Sequence, residues 1–143
     1  MKTSVLKLLV ISLLISFYAC NDDDDCGCND GNIVGKWEVK EFMSVESVLY
    51  EKDDAYNPTI EFKMDGTTNI KLDVNSCFSD YELGDESTLN VSDSGCTEAC
   101  CDSDFSMKFV EMLPQVGSYE IEDNVLKLNV SGWGWIELER ISD

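Results

Sequence analysis

The chain is 143 residues long and carries 29 acidic against 10 basic side chains, for a formal charge of −19, with no histidine. That length supports one domain with a modest core, and a surface this acidic repels nucleic acid and anionic lipid, which sets both aside as partners. Without histidine there is no Ser-His-Asp or Cys-His site and no imidazole metal ligand, so the expectation is a non-enzyme with no metal and no cofactor.

Residues 1–19 have the layout of a secretory signal. Lys2 and Lys7 form a basic start, and Leu8 to Phe17 is a run dominated by apolar residues. It is too short to span a bilayer, which takes about 20 residues. The run ends in Phe17-Tyr18-Ala19-Cys20, which resembles the lipobox of bacterial lipoproteins. The resemblance implies cleavage before Cys20, lipidation of its thiol and anchoring to a membrane without a transmembrane helix. Buried lipid chains contribute about 0.8 kcal/mol per methylene, so several together anchor stably. The other reading is an ordinary secretory cut near Ala19 that leaves Cys20 free for a disulfide.

Asn21 and the run Asp22, Asp23, Asp24 and Asp25 come next. The run resembles the export tag of surface lipoproteins in Bacteroidota, and it also reads as a self-repelling spacer within an acidic tether over residues 20–32. The expected location is therefore the cell envelope, lipid-anchored in the outer membrane, with surface exposure as one of two options. A calcium loop does not fit. Counting back from Gly31 puts Cys26 where the EF-hand pattern needs its first acid.

The folded domain is expected over residues 33–143. Its first strand lies in IVGKWEVKEF, with Val34, Trp37 and Val39 facing inward and Gly35 marking a bulge or a close packing point. Gly35-x-Trp37 also occurs at the first strand of lipocalins, where such a Trp often plugs the end of a barrel. Residues 45–50 read as a second strand and 51–57 as an acidic loop. The clearest hairpin follows: Ile60, Phe62 and Met64 alternate before an Asp65-Gly66 turn, and Ile70, Leu72 and Val74 answer on one face. Short strands are expected around Cys77 to Tyr81 and at 88–91.

The one helix is placed near residues 102–113. Asp102, Ser103 and Asp104 offer N-cap oxygens, Phe105, Phe109, Met112 and Leu113 share one face, and Pro114 ends it. Tyr119 and Ile121, an Asp123-Asn124 turn, then Leu126, Leu128 and Val130 make a second hairpin, and 135–141 is the last strand. The fold class is thus mainly β (α+β), an antiparallel, barrel-like meander of about eight strands with one helix. Gly132-Trp133-Gly134-Trp135 offers Trp133 as a contact residue for a sugar or peptide, or as a cover for the barrel end. Trp37 is the other candidate ligand contact.

The order of Gly35-x-Trp37, Pro58-Thr59-Ile60-x-Phe62, Asp65-Gly66, Cys77-Phe78-Ser79-Asp80-Tyr81 and Thr97 to Cys101 resembles the META-domain family. Glu111, Leu113, Val116, Tyr119, Ile121, Leu126 and Leu128 continue the resemblance, which covers residues 33–141. It implies a small β-rich envelope domain and supplies no chemical activity. Phe78 stands where the family usually has asparagine, and Cys96 and Cys100 are additional cysteines.

Apart from Cys20, six cysteines remain: Cys26, Cys28, Cys77, Cys96, Cys100 and Cys101. An even number in an exported protein implies disulfides. The family pattern implies that Cys77 pairs with Cys101, or with Cys100 if the alignment slips by one residue. Cys26 and Cys28 are then left for Cys96 and Cys100. A cysteine-only metal site is the competing reading, although only Cys96-x3-Cys100 has the spacing of a zinc pair.

The functional expectation is a lipid-anchored envelope protein with a non-catalytic binding or structural domain. Its alternatives are a lipocalin-like carrier of a small apolar ligand and an acidic module for a basic protein partner.

Overall fold

The computed structural model describes residues 32–52 and 56–142. The expected leader, Cys20, the acidic run, Cys26 and Cys28 lie outside the described residues. Among the described residues nine strands run in chain order: β1 Gly35–Ser44, β2 Thr59–Phe62, β3 Thr67–Lys71, β4 Ser76–Leu83, β5 Leu89–Val91, β6 Gly95–Cys96, β7 Val116–Glu122, β8 Val125–Val130 and β9 Gly134–Arg140. One α-helix among the described residues, α1, spans Asp104–Met112 between β6 and β7.

All pairings are antiparallel, and the sheet order is β5-β4-β3-β2-β1-β9-β8-β7, with β6 added beside β4. An isolated bridge between Thr88 and Ser118 joins the two outer strands, so the sheet is a nearly closed barrel. That bridge brings together the two edges that an open sheet would leave apart.

The core follows from alternation, with one informative break. Trp37 and Val39 point inward at odd positions, yet the next inward residue is Phe42. The register between β1 and β9 shifts between Val39 and Glu41, and this β-bulge moves the inward phase by one residue. Across β2, β3 and β4 the inward residues are Ile60, Phe62, Thr68, Ile70, Cys77, Ser79 and Tyr81. Of the three hydroxyls among them, Thr68 Oγ1 and Ser79 Oγ bond each other at 2.8 Å, and the Tyr81 hydroxyl donates to the Lys63 carbonyl at 2.6 Å. Leu126, Leu128, Val130, Ile136 and Leu138 complete the interior from β8 and β9.

Each end of the barrel has its own plug. At the N-terminal end, Trp37 is fully buried, donates from Nε1 to the Ile33 carbonyl at 2.8 Å, and lies 4.1 Å beneath the Arg140 guanidinium carbon. Arg140 also donates to the carbonyls of Asn32 and Val34, which ties the start of the domain to the end of β9. Gly35 is the close packing point expected of it: its φ of +130° and the nearby Arg140 side chain leave no room for a Cβ.

At the opposite end α1 lies over the barrel mouth. Phe105, Phe109, Met112 and, just past the helix, Leu113 are buried, and the Phe105 ring is 4.6 Å from that of Phe42. Ser103 is the cap, its side chain accepting from Ser106 N at 3.2 Å. Pro114 falls in the 3-10 turn Leu113–Gln115 that follows.

Three expectations need correction. Residues 45–50 are no strand: β1 runs on to Ser44, then a turn and a 3-10 segment over Ser47–Leu49 follow, and Val45 is 95% exposed. Met64 and Val74 continue the hairpin's alternation, but they lie beyond the strand ends and are exposed. Trp37 as a ligand contact is also overturned, because its ring is wholly enclosed by core and by Arg140.

Replacing Trp37 by Ala should cost about 3–5 kcal/mol, the range for deleting a large buried aromatic. Urea unfolding followed by circular dichroism would check this, and a loss below about 1 kcal/mol would contradict the plug assignment.

Candidate functional site

The segment from Thr97 to Ser103 belongs to no ladder, so its backbone polar groups need other partners. They find them in the turn between β3 and β4. Asn75, 7% exposed, works with both ends of its amide. Its Oδ1 accepts from Thr97 Oγ1 at 2.7 Å and from Ala99 N at 2.8 Å, and its Nδ2 donates to the Ala99 carbonyl at 2.7 Å and to Asp102 Oδ2 at 2.6 Å. The other Asp102 oxygen accepts from the amides of Val74 and Asn75 at 2.8 and 3.1 Å. Asp73 reaches the helix itself, accepting from Ser103 N and from the buried Ser106 hydroxyl. Asp73, Asn75 and Asp102 therefore form one clamp that fixes where α1 begins.

Burial alone would push the Asp102 carboxyl up. The hydrogen bonds from Asn75 and from the amides of Val74, Asn75 and Asp73 outweigh it and hold the carboxyl below its ordinary value. A depressed folded-state value means that the clamp's contribution is present above the usual aspartate range and is lost as pH falls through it.

Beside the clamp is an open cleft of about 740 Å³, between the 96–102 segment and α1. Leu72, Met107 and Val110 give it an apolar wall, and Glu98, Asp104 and Glu111 ring it with acid. Cys100 and Cys101, both exposed, line its mouth and are paired with each other as adjacent residues. The second bridge joins Cys77, fully buried on β4, to Cys96 on β6, directly opposite it in register. The pairing of Cys77 with Cys101 or Cys100 is thus corrected, and Cys96 is not left for the tether. Physically, β6 pairs with β4 and sets Cys96 against Cys77, whereas the clamp holds the 99–102 segment over the neighbouring turn. In the chain-entropy picture a bridge of sequence separation 19 stabilises by about 3 kcal/mol.

Phe78, noted in the sequence as a departure from the resembled family's usual asparagine, is 56% exposed on the outer face of β4. The polar work falls to Asn75, three residues earlier. Asp102 was visible in the sequence as a cap candidate; its actual role is to bind the β3–β4 turn, while Ser103 caps.

Trp133 sits half-buried at the helix end of the barrel. Its ring meets Phe42 edge-on at 5.9 Å, and its Nε1 donates to Glu46 Oε2 at 2.9 Å. Lys108 is only 9% exposed; its Nζ lies 5.1 Å from the Tyr50 ring centroid and 5.9 Å from that of Trp133, and it pairs with Glu111 at 3.4 Å. Nothing in the apolar spacing of α1 announces this buried cation. Among the described residues no group of three or more acids or cysteines is arranged to hold a metal ion, and no helix is long and apolar enough to cross a membrane.

Fold and clamp together define a small β-barrel domain with a filled interior, capped among the described residues by one helix. The chain belongs to the META-domain family: the META domain model matches residues 32–138. A search of curated proteins finds no significant match. Two solved structures show the same fold at low identity. A DUF4847-family protein from Bacteroides vulgatus is 18% identical with a TM-score of 0.57, over 76% of this chain and 94% of that one. A protein from Burkholderia xenovorans, solved by NMR, is 12% identical with a TM-score of 0.62, over 76% of this chain and 83% of that one.

Two outcomes test the clamp. Asn75→Ala leaves the Thr97, Ala99 and Asp102 partners unpaired and should cost roughly 2–4 kcal/mol in denaturant unfolding. Asp102→Asn should flatten the fall in melting temperature that the parent shows as pH drops below the usual carboxylate range. Parallel acid profiles for parent and variant would contradict the assignment.

Proposed function

We infer that this chain is a lipid-anchored envelope protein whose META domain is a non-catalytic binding or structural module. The observation that carries the reading is the order of Lys2 and Lys7, the apolar run Leu8 to Phe17, Ala19-Cys20 and the acidic run from Asp22 to Asp25. A basic start, a short apolar run and a lipobox-like cysteine make an export signal followed by an acylation site. Acyl chains on Cys20 would hold the domain at the outer membrane, with the acidic tether as spacer and export tag toward the cell surface.

The domain's geometry supports a module that works through its exterior. Trp37, Phe62, Phe109, Leu126 and Leu128 are at most 1% exposed and occupy the interior, which counts against a lipocalin-like carrier that stores an apolar molecule inside. Partners then meet an acidic surface, and a basic protein is the complementary class.

The deciding measurement is intact mass of membrane-extracted protein beside a Cys20→Ala variant. Acyl mass on the parent, with the variant released to the soluble fraction, is the expected result. An unlipidated parent in the soluble fraction would overturn the anchor.

A further inference from the structure

The two bridges differ in what they can do for stability. Cys77–Cys96 closes a long stretch of chain and is buried at Cys77. Cys100–Cys101 joins neighbouring residues. A bridge stabilises mainly by removing loop freedom from the unfolded chain, and one between adjacent residues closes no loop. It also holds nothing together that is not already held. On one side Ala99 is bonded through both its N–H and its carbonyl to Asn75, and on the other Asp102 is bonded to Val74 and Asn75. The pair is therefore framed at fixed points independently of its own covalent bond. Both cysteines are exposed at the mouth of an open cleft, where a small thiol reagent can approach.

We propose that Cys100–Cys101 is a thiol–disulfide exchange site, reduced on the folded domain by a small dithiol and reoxidised by the reverse exchange with that reagent's cyclic disulfide, without disturbing the structural bridge. A thiolate of the dithiol attacks one cysteine sulfur. The bond between the two cysteine sulfurs breaks, and a mixed disulfide forms while the other cysteine leaves as a thiolate and takes up a proton. The second thiol of the reagent then closes on the first, its proton passing to the released cysteine. Two electrons and two protons have moved from the dithiol, now a cyclic disulfide, to two adjacent cysteine thiols. Glu98, Asp102, Asp104 and Glu111 around the cleft set the reagent class: a neutral dithiol approaches freely, whereas a carboxylate-bearing thiol is repelled.

The test uses the oxidised full-length protein, treated with graded dithiothreitol and then alkylated. Cleavage after Glu98 separates Cys96 from Cys100 and Cys101 for mass analysis, and Cys26 and Cys28 are scored on their own peptide. Cys100 and Cys101 should open at least about tenfold faster than Cys77–Cys96, with the melting temperature and circular dichroism of this partly reduced form unchanged. Opening only together with Cys77–Cys96, or labelling of Cys100 and Cys101 without reductant, would overturn the proposal. The double variant Cys100→Ser/Cys101→Ser should fold and melt like the parent; a marked fall in melting temperature would make the bridge structural and also overturn it. At low salt dithiothreitol should outpace glutathione at this pair, with the gap narrowing as salt is added. Equal rates at low salt would overturn the preference for a neutral reagent.

Discussion

The arrangement depends on an accounting problem in the backbone between β6 and α1. The seven residues from Thr97 to Ser103 lie in no strand or helix, with only Thr97 N–H bonded to the Ser76 carbonyl at one end and the Ser103 carbonyl accepting from Met107 N at the other, and they must cross from the edge of the barrel to its open mouth. Asp73, Asn75 and Asp102 solve it with side chains, supplying acceptors and donors where a ladder would otherwise do so. Because Asp73 also holds Ser103 and Ser106, the same turn fixes the first turn of the helix. Phe105 and Phe109 can reach the barrel mouth only from that starting point. The helix cap, the cleft beside it and the position of the vicinal cystine are consequences of one turn.

The two plugs close the barrel by different physics. At the N-terminal end a single indole is wedged between core and guanidinium, with its N–H satisfied by a carbonyl four residues back. At the other end a whole helix face supplies the apolar surface, with Trp133 and Tyr50 closing around the stem and ammonium of Lys108. An interior filled from both ends has density to give to stability and little volume to give to a guest. That balance separates this domain from hollow barrels that share the Gly-x-Trp start.

Much of the fold was legible because it rests on local periodicity. The hairpin through Asp65-Gly66 pairs Ile60 with Ile70 and Phe62 with Thr68, as an alternating pattern around a tight turn demands. The helix face and its Ser103 start were equally local. What failed was what periodicity cannot carry. Val45, Val48 and Leu49 look like strand residues, but β1 stays paired with β9 up to Ser44, and the chain then turns into a 3-10 segment, leaving Val45, Val48 and Leu49 exposed. The phase change at Phe42 came from a bulge, which leaves no mark in apolar spacing. The cysteine pairing and the role of Asn75 depended on a two-residue strand and on contacts more than twenty positions apart in the chain. The buried position of Lys108 depended likewise on rings brought from two other elements.

The bridge from Cys77 to Cys96 has a further consequence for how the chain responds to proteolysis. It turns residues 77–96, with β5 and the exposed bend at Asp85–Ser87, into a closed covalent ring. Glu86 and Ser87 sit there in left-handed backbone conformations, at a loop tip of the kind that proteases reach first. A single cut at that bend leaves both fragments joined through sulfur, so the barrel can be nicked without coming apart for as long as the medium remains oxidising.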